Sequence, residues 1–128
     1  MKEAASHLSA VTDRLSGRAL RVGVSVGGGP FVEHNLGTNA QVVLGPGGPG
    51  VIAVRNWTTP NLCLVSAHRW LHLGPGMSVV MVHETGEGRL EGTFEDLLGA
   101  GVEFPLFMNA NRIKVRVREG LVMLMEYA

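Results

Sequence analysis

Apolar and polar residues alternate through much of the chain, and most strictly over residues 112–127, RIKVRVREGLVMLMEY. Ile113, Val115 and Val117 take every second place between Arg112, Lys114, Arg116 and Arg118, the period-two pattern of a strand with one buried face. Glu119-Gly120 supplies a two-residue turn, so the stretch predicts a β-hairpin with Arg118 opposite Leu121. In that register Val117 faces Val122 and Val115 faces Leu124 on the core side. The other face then sets Arg112, Lys114, Arg116 and Arg118 beside Leu121, Met123, Met125 and Tyr127. A basic row next to an apolar row requires a cover other than water.

The same alternation recurs upstream. Leu20, Val22, Val24 and Val26 alternate with Arg21, Gly23 and Ser25, and Gly27-Gly28-Gly29 turns the chain into Phe31-Val32-Glu33, a second hairpin. Residues 40–44 predict a third strand, ended by the run GPGGPG over residues 45–50. That run is a turn and not a phosphate loop, because no Lys-Ser/Thr or helix start follows and its prolines remove N–H donors. A short buried strand is expected over residues 51–54, a loop around Pro60, and one long or two short strands over residues 62–73. Gly74-Pro75-Gly76 breaks the chain before a strand over residues 78–83. Residues 84–92 read as a loop, residues 93–98 as one helical turn, and residues 102–108 as a strand whose Pro105 implies an edge or a bulge.

Ahead of these strands, Ala4, Leu8, Val11 and Leu15 recur at spacings of four, three and four. They form one helical stripe, and Gly17 is a natural stop. The expected fold is therefore all-β, a β-sandwich or partly closed barrel over residues 18–128, preceded by a short amphipathic helix or tail over residues 1–17. About nine to eleven short strands fill it.

Composition narrows the function classes. A chain of 128 residues suits one domain. Eleven basic residues balance eleven acidic ones, so no overall field draws in nucleic acid or a membrane surface. Cys63 is the single cysteine, which excludes an internal disulfide framework and fits a reducing compartment. No stretch is apolar enough for a signal peptide or a membrane span, and a cytoplasmic location is expected.

Side chains able to carry chemistry are few. His34, His68, His72 and His83 supply imidazoles for a metal, and a small-ligand or metal-binding barrel of the cupin type is the alternative reading. Their spacing argues against it, since His68 and His72 stand four apart with no matching carboxylate. Ser66, His68 and Asp96 are materials for a hydrolytic triad, but Ser66 lacks a glycine-flanked elbow. Glu84, Glu87, Glu91 and Glu95 read as solvated loop carboxylates. No catalytic residue, metal ligand or cofactor site is expected, and the chain reads as non-enzymatic.

Several stretches together resemble a degenerate forkhead-associated (FHA-like) domain over residues 19–127. They are Leu20-Arg21-Val22 with its glycine turn, a strand ending Leu44-Gly45, Leu64-Val65-Ser66-Ala67-His68, Glu91-Gly92, and the closing pair of strands. The chain is similar to divergent modules of this type in myxobacterial gliding-motility and TonB-like proteins, with counterparts to Met77, residues 86–98 and residues 112–124. The family's phosphothreonine site has an arginine after the glycine ending the third strand, a serine three residues before a histidine, and an Asn-Gly pair. Here Pro46 follows Gly45, Ser66 is two before His68, and Glu91 precedes Gly92. The resemblance thus implies a β-sandwich that serves as a protein-interaction or scaffold domain in a motility or cell-polarity assembly. Its expected partner-contact residues are Leu8, Val11 and Leu15 of the helix with Arg112, Lys114, Arg116, Arg118, Met123, Met125 and Tyr127 of the hairpin. The partner is another protein with an acidic surface, or a second copy of the chain, and the helix stripe is expected to pack on the row of Leu121, Met123, Met125 and Tyr127.

Overall fold

The alternating runs pair into two sheets stacked face to face. The computed structural model describes residues 19–37, 40–67, 69–82, 89–108 and 110–127. The expected N-terminal helix, with Leu8, Val11 and Leu15, lies outside the described residues. In chain order the strands are β1 (Leu20–Val26), β2 (Val32–Leu36), β3 (Val42–Gly45), β4 (Ile52–Ala53), β5 (Leu62–Ser66), β6 (Trp70–Leu71), β7 (Ser78–Val82) and β8 (Arg89–Thr93). A short helix α1 (Phe94–Gly99) follows, then β9 (Leu106–Phe107), β10 (Arg112–Arg118) and β11 (Leu121–Tyr127).

One sheet has the order β2-β1-β11-β10-β7-β8 and the other β4-β3-β5-β6-β9. Both sheets stay open at their edge strands, so the fold is a sandwich and not a closed barrel. Between them lies one core. Leu20, Val22, Ile113, Val115, Val79 and Met123 of the first sheet meet Val42, Leu44, Leu64, Val65 and Leu71 of the second. No described helix is long and apolar enough to cross a membrane.

Local chemistry explains the turns. The β1–β2 connection has Gly27 at φ 61° and Gly28 at φ 75°, with the Gly29 N–H donating to the Val26 carbonyl at 3.1 Å. Two consecutive positive φ values make a turn whose twist suits a hairpin, and only glycine adopts them freely. Residues 62–73 resolve into two strands, because the chain reverses between Ser66 and Trp70, which stand opposite each other. Arg69 turns there with φ 65°. Helix α1 starts at Thr93, whose hydroxyl accepts the Asp96 N–H at 3.1 Å. Residues 89–92, expected as loop, form β8 instead, together with Thr93 at the start of the expected helical turn, and Leu90 packs against the core while Arg89 and Glu91 are exposed. The strand of Pro105 shrinks to the two residues of β9, at the edge of the five-stranded sheet.

The closing hairpin departs most from expectation. Arg118 does sit opposite Leu121, but Arg116 pairs with Val122, so Val117 is an extra residue in β10, a β-bulge. Val115 consequently faces Met123 and Ile113 faces Met125. A one-residue slip exchanges the two faces of a strand. Leu121, Met123, Met125 and Tyr127 are therefore core residues, 0–4% exposed, and not an outward row. Val122, Leu124 and Glu126 point out in their place. The expected contact of a helix stripe with Met123, Met125 and Tyr127 has no surface to form on. The physical reason is Glu126: the expected register would have turned its carboxylate into the core, where an unpaired charge is far costlier than an exposed leucine.

Two measurements check this register. Met123→Ala should lower unfolding free energy by about 2–5 kcal/mol in urea titrations, the usual cost of truncating a buried methionine. Leu124→Ala should cost less than about 1 kcal/mol. Tyr127, the single tyrosine, is pushed up to about 12 by burial, against the opposing pull of the Arg69 charge. Phenolate absorbance should accordingly appear near pH 12 and not at the ordinary tyrosine value of about 10. The unfolded chain gives up this proton first, so the stabilisation is complete below pH 10 and is lost as pH rises towards 12.

Candidate interaction face

With β11 turned as described, the outer face of the six-stranded sheet can be read in rows across the strands. At one end Arg21, Glu126, Arg112 and Val82 stand side by side on β1, β11, β10 and β7. Next come Gly23, Leu124, Lys114 and Val80, and then Ser25, Val122, Arg116 and Ser78. The basic residues of β10 thus run down the sheet, Lys114 and Arg116 with apolar or small residues on both sides and Arg112 between Glu126 and Val82.

Charge matching differs along this face. Arg21 Nε donates to Glu33 Oε1 at 2.8 Å, and this hydrogen bond and charge hold the guanidinium further above its usual pKa. Arg89 Nε likewise reaches Glu91 Oε2 at 2.9 Å. Arg112 has Glu126 as its cross-strand neighbour, whereas Lys114 and Arg116 have no carboxylate beside them in register. Neither forms an ion pair among the described residues.

Apolar surface lies between the charges. Phe31 leaves the first hairpin and settles over Gly23, where any Cβ would come within 3.4 Å of its ring. Phe31 remains 46% exposed and Leu124 43% exposed, so both present carbon to water in the middle of a charged face. They share a groove of about 380 Å³ with Arg21, Glu33, Arg112 and Lys114. A second hollow of about 400 Å³ adjoins it towards the turns, lined by Ser25, Gly28, Ser78, Lys114, Arg116 and Gly120.

Of the expected hairpin contacts, Arg112, Lys114 and Arg116 are brought together here. Arg118 is not, because its guanidinium lies 5.2 Å over the Trp57 ring. Trp57 is itself fixed by donating from Nε1 to the Pro60 carbonyl at 3.2 Å, so Arg118 ties the hairpin to the loop between β4 and β5. Met123, Met125 and Tyr127 are in the core, with the Arg69 guanidinium 5.7 Å from the Tyr127 ring. Phe31, Val80 and Leu124 were missed by sequence reasoning. Leu124 was assigned inward by the register error, and Phe31 would have been visible only as the partner of a glycine on the neighbouring strand.

The other chemical candidates do not converge. Ser66 Oγ lies 2.8 Å from His72 Nε2, but Asp96 is on α1, beside β8 of the other sheet, and His68 lies outside the described residues. His34 is on β2 and His72 follows β6, so they belong to different sheets, while His83 is also outside the described residues. Among the described residues no three His, Cys, Asp or Glu side chains could hold a metal ion. The open sandwich also lacks the closed barrel that the cupin-type alternative needs.

The positions matched to the forkhead-associated pattern are likewise apart. Leu44 pairs with Leu62 and Val42 with Val65, so Gly45 and Ser66 sit at opposite ends of the β3–β5 ladder, and Glu91 is in the other sheet. No known family model, curated protein or solved structure matches the chain.

Proposed function

We propose that the chain is a non-enzymatic protein-interaction domain that docks an acidic, partly apolar segment of another protein on the outer face of the six-stranded sheet. One observation carries the reading: cations without carboxylate neighbours on β10 flank exposed carbon at Leu124 and Phe31. Exposed apolar surface within a polar surround is the composition of an interaction patch. The cations add steering and register more than raw affinity, and their effect should weaken with salt. Two copies meeting through this face would oppose like charges, which favours a different, acidic partner.

The resemblance to a degenerate forkhead-associated domain supports the same role. From it comes the further proposal that the domain is a cytoplasmic scaffold element of a motility or cell-polarity assembly. The separation of Gly45, Ser66 and Glu91 argues for docking that does not use that family's phosphothreonine pattern.

A photo-crosslinking residue placed at position 124 should capture an acidic protein in cells, while the same residue at position 63, exposed on the other sheet, should not. Arg112→Glu combined with Lys114→Glu should abolish the capture and leave Tm within a few degrees, as exposed substitutions usually do. Equal capture from both positions, or capture that survives the double charge reversal, would refute the reading.

A further inference from the structure

We propose that the hollow at the turn end of this face is a binding site for a tetrahedral oxyanion, phosphate or a small phosphate monoester, held by Lys114, Arg116 and Ser78. The site stands whether or not a protein segment docks beside it.

The two hollows of the face differ in charge. In the groove near Phe31, Arg21 and Arg112 are accompanied by Glu33 and Glu126. The second hollow, about 400 Å³, has Lys114 and Arg116 in its wall and no acidic residue. Its size lies within the range of about 300–1,000 Å³ common to small-ligand sites. Lys114 and Arg116 are two residues apart on one face of β10, hence about 7 Å apart along the strand. Both heads can therefore approach one anion from the same side.

The hollow exists because glycines, serines and the short side chains of Val80 and Val122 make up its other walls. Ser25, Gly28, Ser78 and Gly120 surround the two long cations. The Gly27 N–H donates to the Gly120 carbonyl at 2.6 Å, which locks the β1–β2 turn against the β10–β11 turn. The rim is thus backbone held in place and not loose side chain. Ser25 belongs to the wall, since its hydroxyl donates to the Gly29 carbonyl at 2.7 Å and is committed there. Ser78 stands opposite Arg116 and has no side-chain hydrogen bond among the described residues. Its hydroxyl proton is available to a ligand.

One hydroxyl, one ammonium and one guanidinium on adjacent strands suit an anion with three accepting oxygens and more than one charge. A phosphate group at neutral pH carries about −1.5 to −2 and offers three such oxygens, whereas a carboxylate offers two and a single charge. The guanidinium can take two of the oxygens side by side, which a lysine ammonium cannot.

The test is an amide NMR titration of the full chain with inorganic phosphate, and separately with methyl phosphate, each against sodium chloride at matched ionic strength. Saturable shifts should centre on Ser78, Lys114, Arg116 and Gly120. Methyl phosphate should bind more tightly above its second pKa of about 6 than below it, because the dianion is the better ligand. Arg116→Gln should weaken binding roughly tenfold. Arg112→Gln, in the neighbouring groove, should leave it unchanged. Tighter binding of inorganic phosphate assigns the site to the free ion, and tighter binding of methyl phosphate assigns it to a monoester. Shifts matched by chloride, shifts that never saturate, or affinity unaltered in the Arg116→Gln protein would overturn the proposal.

Discussion

Strand β11 is paired along its length to β1 on one side and to β10 on the other, and its facing decides the facing of both. Leu20, Val22 and Val24 stand beside Tyr127, Met125 and Met123, while Ile113 and Val115 stand beside Met125 and Met123. These residues occupy the centre of the core. Once this set is buried, Glu126, Leu124 and Val122 must face water between Arg21, Gly23 and Ser25 on β1 and Arg112, Lys114 and Arg116 on β10. The interaction face follows from which side of one strand fills the core.

The bulge at Val117 makes this compatible with the hairpin turn. Without it, the pairing of Arg118 with Leu121 would carry through to Val117 with Val122, and the apolar sides of β10 and β11 would be on opposite faces of the sheet. The extra residue lets the turn keep its two-residue form while both strands bury their apolar sides. Val117 itself remains buried, so the bulge costs pairing locally without exposing carbon.

This also marks the limit of what could be read beforehand. Alternation along β1 and β10 is strict and β7 is a short valine-rich run bounded by a Gly-Pro-Gly break, and those strands, the β1–β2 turn and the basic row of Arg112, Lys114 and Arg116 were legible. The facing of β11 was not, because a bulge changes the count of paired residues without disturbing the pattern on either strand. Glu126 carried the missing signal, since a carboxylate in phase with Val122 and Leu124 marks their side as the wet one. Strand β8 was hidden for another reason: Gly92 interrupts RLEGT at an inward position, where a larger side chain would meet Leu97 at 3.2 Å. The chain looked like a loop there because the helix needed the space.

The charge ladder on β10 can be weighed in the same terms. Two like charges about 7 Å apart repel by only about 0.6 kcal/mol in bulk water, so Lys114 and Arg116 cost the free protein little. Covering them with an uncharged or basic surface would remove that screening and raise the repulsion several-fold. Leu124 and Phe31 pull the other way, since their exposed carbon gains from being covered. Only a cover that brings its own negative charge satisfies both demands. Arg118 escapes this tension by lying over Trp57, which leaves the unmatched charge concentrated on Lys114 and Arg116, where the face is also hollow.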